Sequence, residues 1–390
     1  MKEQLTNDFR SRFGSAPEVF ARAPGRLEIL GNHTDYNEGF VLSCAVTLET
    51  VFAARRVPGT VCTVRDFDFR EDAEKKFDLN DIETAVKGDW SNYVKGMIQS
   101  LRRRGAAIGA FEAGLRSTVP LSAGMSSSAA FETAAGFALR ELFGVTLSRE
   151  EWALAGQEVE NRYLGLKTGL LDQFSSIFGE KDAMILSDFR KIAVLRSVPV
   201  PAGLSIVVIN SMKKHDLVDS EYNTRRSDCE HAAKILGGIY PGTKTLRDVS
   251  LAQLKEAKNA LNEREYRRAL HVVGECTRVM QAVEYLRQGD AESFGALWFE
   301  SHESSRVNFE NSAPGLDYLV ELAHSVPGCL GARLSGGGFG GITIHLVRSA
   351  GAEEYARKVC AAYELRTGIR PDYFICAPGA GASSEKLQAR

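Results

Sequence analysis

The 390-residue chain has no CxxC pair and no excess of charge of either sign. No uninterrupted apolar run approaches the ~20 residues that span a bilayer. Its seven cysteines, at 44, 62, 229, 276, 329, 360 and 376, are odd in number and widely spaced. That pattern argues against a disulfide frame or a zinc site and for reduced thiols in a cytoplasm. The N-terminal MKEQLTNDFRSRFG lacks an apolar signal core. Lys plus Arg is 48 against 50 for Asp plus Glu, a net charge of -2, so nothing points to a nucleic-acid or membrane surface. The short basic run Arg102-Arg103-Arg104 reads as a solvated helix C-terminus. There is no GxxxxGK[ST], which excludes a Walker-type loop. Gly336, Gly338 and Gly341 spell GxGxxG, but the ITIHLV that follows reads as a strand where a dinucleotide fold needs a helix. These glycines therefore suggest backbone packed tightly against a ligand or loop, or a plain glycine-rich turn. No internal repeat or low-complexity segment is present.

Hydrophobic content of 44% and charged content of 25% are those of an ordinary soluble globular protein. The length predicts two domains, 1–190 and 191–390, with a boundary in the region of residues 180–205. Residues 3–13 read as an amphipathic helix, EVFARAPGRLEIL and GFVLSCAVTLETVFAARR as strands, and WSNYVKGMIQSLRRRG as a helix. Ser148 to Glu151 spells a capping box. AMILSD and KIAVLRSV read as a hairpin, three or four helices fill about 220–325, and the tail GAGASSEKLQAR reads as frayed. Strands and helices interleave without a regular βαβ rhythm, which predicts an α+β fold.

Four stretches carry candidate chemistry. PLSAGMSSSAA, Pro120 to Ala130, sets small residues and three serines before a strongly helical run. A helix N-terminus suits an anion, so this is a candidate phosphate loop; alone, it is equally an ordinary Ser-rich N-cap. APGRLEILGNHTDYNEG gathers Arg26, Glu28, Asn32, His33, Asp35 and Asn37, the short donors and acceptors that polyol recognition needs, or a polar turn held by Asx bonds. LLDQF places Asp172 in an apolar helical segment, where a carboxylate needs a partner or a task; general base and salt-bridged core Asp both fit. KHDLVDSEYNTRRSDCE is a polar helix start with Tyr222, Arg225 and Arg226. The lone His215 carries no assigned chemistry.

Taken together and in order, these stretches resemble the GHMP kinase superfamily and, within it, the galactokinase family. APGRLEILGNHTDYNEGFVL resembles the galactokinase signature, PLSAGMSSSAA the phosphate-binding motif and LSGGGFGG the third, glycine-rich motif. The resemblance spans roughly residues 18 to 376. It implies a sugar kinase using ATP and Mg²⁺, built as two α+β domains of mixed or antiparallel sheets with the active site in the cleft between them. It makes Asp172 the candidate base for the sugar C1 hydroxyl, with Arg26 beside it favouring its ionised form or stabilising the transferring phosphoryl group. It matches Ser128 and Glu160 to magnesium positions, and Gly124, Met125, Ser126, Ser127 and Ser128 to the phosphate cradle. Trp90 matches an adenine-side aromatic. Asn32, His33, Asp35, Gly169 and Tyr222 match sugar-contacting positions. Galactose and ATP are the expected small-molecule partners of a monomer or weak homo-oligomer.

The chain departs from the family signature Arg-x-Asn-x-x-Gly-Glu-His-x-Asp, since Glu28 stands at its Asn and Asn32 at its Glu. An amide at 32 loses the charge of a carboxylate that, in the family, meets the far hydroxymethyl end of the sugar. The expected consequence is weaker galactose binding or a shifted preference, with an N-acetylgalactosamine kinase as the rival. Glu28 looks too remote to compensate, because four residues along a strand span ~13 Å. A non-catalytic sugar sensor is the other alternative. The three intact serines and Asp172 argue against it.

Overall fold

A computed structural model describes residues 1–69, 73–121, 124–213 and 218–387. The chain begins with α1 (Lys2–Phe13), β1 (Val19–Leu30), β2 (Phe40–Arg56), β3 (Val61–Asp66), β4 (Glu74–Asp78), α2 (Asn92–Arg103) and β5 (Phe111–Ser117). Helices α3 (Ser127–Phe143), α4 (Arg149–Glu158) and α5 (Leu171–Phe178) follow, then β6 (Ala183–Asp188), β7 (Ala193–Pro199) and β8 (Leu204–Asn210). Next come α6 (Val218–Ile239), α7 (Leu251–Glu256), α8 (Glu263–Gln288), α9 (Ala291–Ser304) and α10 (Pro314–Ser325). The fold closes with β9 (Cys329–Ser335), β10 (Ile342–Arg348), α11 (Ala352–Thr367), β11 (Asp372–Cys376) and β12 (Ser383–Lys386).

The strands form an eight-stranded sheet, β12-β1-β2-β5-β3-β4 with β6 on β2 and β7 on β6, and a four-stranded sheet, β11-β8-β10-β9. Among the described residues only β3 and β5 pair in parallel, so the expected α+β class holds. Helices α2 to α5 bury their apolar faces on one side of the larger sheet. A second core joins the sheets: Leu27 and Ile29 of β1 pack with Ile342 and Ile344 of β10 and Trp298 of α9.

Strands β6 and β7 pair, which keeps residues through 199 on the larger sheet. Two expectations change. The tail is not frayed through Lys386, because Ser383–Lys386 pairs with Val19–Arg22. Main-chain bonds to an open strand edge need no apolar side chains, so the Gly- and Ser-rich composition misleads. Between 218 and 325 the described residues hold five α-helices rather than three or four. The extra one, α7, is six residues long and rests on a Ser250/Gln253 capping box. The hairpin and the Ser148/Glu151 capping box stand as expected.

Three histidines are buried in neutral form. His345 lies between Thr343 Oγ1 (2.8 Å) and Tyr355 Oη (2.7 Å). His271 donates from Nε2 to Asn32 O (3.1 Å), and His33 donates from Nε2 to Gly337 O (3.0 Å). Burial lowers His33 from 6.5 to about 4 and the other two to about 3. Between 6.5 and 4 the unfolded chain binds protons that the native chain does not, so stability is complete above 6.5 and falls with pH through this window. Each histidine should contribute roughly 2 kcal/mol less to stability in urea unfolding at pH 5 than at pH 7, opposed by buried carboxylates such as Asp35 and Glu160, whose raised pKa values favour the native state as pH falls. A difference between the two pH values that His345→Gln leaves unchanged contradicts this.

Candidate active site

The site begins at an irregularity in β1. Pro24 has no N–H for the ladder, and the β1–β2 register shifts between Pro24 and Arg26. The freed N–H of Arg26 donates instead to Met125 O at 3.0 Å. Gly25 permits that approach, since a Cβ there would lie 2.8 Å from the same oxygen. Arg26 as a whole is 5% exposed. Its Nε donates to Asp172 Oδ1 (2.8 Å) and its Nη1 to Gly124 O (2.6 Å). Asp172 lies in the first turn of α5, where the helix dipole favours a carboxylate. Its other oxygen, Oδ2, accepts from Ser126 Oγ at 2.5 Å.

That contact bears on the N-cap reading of the serine loop. Ser126 precedes α3 in a left-handed conformation (φ 56°), and its hydroxyl makes no cap bond to the helix. It binds Asp172 instead, so among the described residues the N-terminal N–H groups of α3 have no side-chain cap. Ser122 and Ala123 lie outside the described residues. Met125 is fully buried, so it offers its carbonyl and not its side chain. The glycine-rich turn closes over the same point. A Cβ on Gly124 would lie 2.9 Å from Ile342 Cγ1, and one on Gly336 would lie 3.5 Å from Gly124 O. Strand β10 follows these glycines, as expected.

On one side of Asp172 is a pocket lined by Glu28, Asn32, His33, Asp35, Gly169 and Tyr222, among others. Asp35 accepts from Leu171 N at 3.4 Å, and burial together with the Asp172 charge raises its pKa. His33 has both ring nitrogens engaged: Nε2–H on Gly337 O, and Nδ1 accepting from Tyr36 Oη at 2.9 Å. The Tyr222 ring centre lies 5.0 Å from that of His33. Asn32 is fully buried. It donates to Glu28 Oε1 (2.9 Å) and Gly336 O (2.8 Å) and accepts from Asn311 Nδ2 (2.9 Å). The separation expected between residues 28 and 32 is thus wrong. The β1 register shifts again between Glu28 and Leu30, and Gly31 at φ 101° turns the chain, so the two side chains touch. Residues 214–217, with His215, lie outside the described residues.

On the other side, at the start of α3, Ser128 Oγ donates to Glu160 Oε1 at 3.2 Å. Thr168 Oγ1 donates to Glu160 Oε2 at 2.7 Å. Glu160 sits in a π-helical turn, Val159–Tyr163, that continues α4. Burial and the Asp172 charge raise its pKa. A further, more apolar pocket is lined by Trp90, Tyr93, Phe131, Ser127 and Ser128.

Comparison with known proteins bears on the whole chain. The galactokinase galactose-binding signature matches residues 7–56, the GHMP kinase N-terminal domain 92–180 and the GHMP kinase C-terminal model 282–365. A galactokinase of Roseiflexus sp. (strain RS-1) is 37% identical over 387 residues, covering 99% of this chain and 98% of its own. One from Mannheimia succiniciproducens is 40% identical, covering 96% of each. The chain belongs to the galactokinase family. Lactococcus lactis galactokinase, solved with galactose, has a TM-score of 0.94 at 33% identity and covers 99% of the chain and 100% of its own. A mevalonate kinase at 17% identity and TM-score 0.60 shares the fold.

In this kinase the structure brings the three motifs to one point at Arg26, Gly124 and Gly336. Motif reading missed several neighbours. Tyr93 and Phe131 join Trp90, with Trp90 and Phe131 ring centres 5.9 Å apart. The Trp90–Tyr93 spacing of one helical turn was a usable signal. Thr168 and Arg333 carried none, because each meets its partner only through the fold.

Proposed function

We propose that the chain is a sugar 1-kinase that transfers the γ-phosphoryl group of ATP to the anomeric hydroxyl of α-D-galactose, giving galactose 1-phosphate and ADP. One observation carries this reading. Asp172, fixed by Arg26 and Ser126, stands between a pocket of polar side chains and the uncapped N-terminus of α3. A hydroxyl held at Asp172 on the pocket side faces a phosphate held at α3, the in-line arrangement that phosphoryl transfer needs. Asp172 takes the hydroxyl proton as base. Arg26 holds its carboxylate and is close enough to the loop to offset charge on the phosphoryl oxygens.

Asp35, Asn32, His33, Gly169 and Tyr222 form the sugar wall, and Gly124 to Ser128 the phosphate cradle. The aromatic pocket around Trp90 suits the adenine ring. Ser128 and Glu160 would hold Mg²⁺. A hydroxyl and a buried carboxylate are hard oxygen donors, and phosphates and water complete such a sphere. The ion would draw charge from the phosphate oxygens. Seven free cysteines fit a reducing, cytoplasmic location. No helix among the described residues is long and apolar enough to cross a membrane.

A coupled ADP-release assay over a panel of hexoses tests the reading. ADP should appear with galactose, ATP and Mg²⁺ together and not when any one is withheld. Saturable sugar binding with no turnover on any hexose would select the sensor alternative, and a higher kcat/KM for N-acetylgalactosamine the rival kinase.

A further inference from the structure

The pocket wall holds a carboxylate with no assigned role. Glu28 lies on β1, two residues beyond Arg26 and therefore ~7 Å along the same strand face. It is 3% exposed and lines the pocket. Its two oxygens differ. Oε1 accepts from Asn32 Nδ2 at 2.9 Å and from Arg333 Nη2 at 3.0 Å. No hydrogen bond within the described residues reaches Oε2, and that atom is not among the sealed polar atoms that lack a partner. Arg333 is fully buried and is anchored further on Ile29 O at 2.7 Å, so the carboxylate is held from behind.

Asn32 offers the opposite picture. Its two amide hydrogens go to Glu28 and to Gly336 O, and its oxygen accepts from Asn311. With no exposure and no free amide hydrogen, it has little left for a ligand. The amide orientation is fixed by chemistry, because both Glu28 Oε1 and Gly336 O can only accept.

We propose that Glu28, and not Asn32, is the specificity-determining side chain at the end of the pocket away from Asp172: its Oε2 accepts a hydroxyl hydrogen of the sugar, while Asn32 and Arg333 fix Oε1. This rests on the sugar-kinase reading above. With the anomeric hydroxyl at Asp172, the partner of Glu28 is a hydroxyl on the remote edge of the ring, at C4 or C6. Asn32 is a positioning residue in this arrangement. The exchange of Asn and Glu relative to the family signature is then a transfer of the carboxylate across a direct contact, and the pocket keeps its charge.

The test is steady-state kinetics with galactose and its 2-, 3-, 4- and 6-deoxy analogues. Wild type should discriminate most strongly against the 4- or the 6-deoxy sugar. Glu28→Gln should raise the KM for galactose ~10- to 100-fold, the loss of one charged hydrogen bond. It should leave the KM for ATP unchanged and erase the discrimination at that one hydroxyl only. Because Glu28→Gln removes the ion-pair partner of the buried Arg333, the reciprocal exchange Glu28→Asn with Asn32→Glu is run beside it. This double variant keeps one carboxylate and one amide in contact and should fold with a melting temperature near wild type, yet alter discrimination at the same hydroxyl. Unchanged deoxy-sugar ratios in the folded variants overturn the proposal alone. Absence of wild-type turnover on every hexose overturns the parent reading, and the proposal with it.

Discussion

Asp172→Asn should lower kcat by roughly 10²- to 10⁴-fold, the range for removing a positioned general base. The KM for sugar and for ATP should stay within about threefold, since the lost interaction belongs to the transition state. The geometry makes this variant clean. Asn keeps the shape of the side chain and an oxygen for Arg26, now 2.8 Å from Nε. Its new amide hydrogens meet Ser126 Oγ, which can accept as well as donate. Truncation to Ala would be a poorer probe, because it removes the hydrogen-bond acceptor of Arg26 Nε and the partner of Ser126 Oγ along with the charge, and the Arg26 side chain is only 6% exposed. Stopped assays and calorimetric titration of sugar and nucleotide give the two halves of the result. Full retention of rate, or loss of binding, contradicts the assignment. The pH profile then separates a base from a purely electrostatic carboxylate. If Asp172 removes the proton, residual activity of Asp172→Asn should climb with pH where wild type is level. A profile parallel to wild type would make Asp172 a fixed charge that orients Arg26.

How far the site could be read before folding depends on how local its causes are. The serine loop, the signature around Arg26 and the glycine turn each encode a backbone demand in adjacent residues, and all three converge as expected. The N-cap alternative was equally consistent with composition. What removed it is one contact across 46 residues, Ser126 to Asp172. Glu28 and Asn32 show the opposite failure. Strand geometry alone separates them, and only the shifted register and the positive φ at Gly31 bring them together. The same holds for strand β12, whose pairing is main-chain and leaves little trace in side-chain pattern. Two π-helical turns, at Val159–Tyr163 and Ser305–Phe309, also have no sequence signature. Yet they place Glu160 beside Ser128 and Phe309 against His33, with ring centres 4.5 Å apart.

Gly169→Ala should disable sugar use more than any other single methyl in the pocket. A Cβ on Gly169 would lie 1.6 Å from Asp35 Oδ2 and 2.4 Å from its Cγ. No rotamer change of the new residue relieves this, because a Cβ is fixed by the backbone, so Asp35 must move. Asp35 has little room: it heads a short 3₁₀ turn, Asp35–Asn37, and its carboxylate is held by Leu171 N. Leu171 adjoins Asp172, so the shift passes to Asp172 as well. On the proposed role of Asp35 as a sugar ligand, loss of its hydrogen bond accounts for roughly 10- to 100-fold in KM. Misplacement of reacting groups by about 1 Å adds up to another ~100-fold in kcat. Steady-state kinetics should therefore show kcat/KM for the sugar falling by a combined factor of roughly 10³, with the KM for ATP little changed. The cause is tested by a double-mutant cycle. In an Asp35→Ala background the carboxylate that clashes is gone, so adding Gly169→Ala should change kcat/KM by less than about threefold. If the two losses simply add, Gly169 acts through backbone flexibility rather than through the space it leaves for Asp35. The cycle thus distinguishes a glycine kept for its conformation from one kept for what its missing side chain lets in.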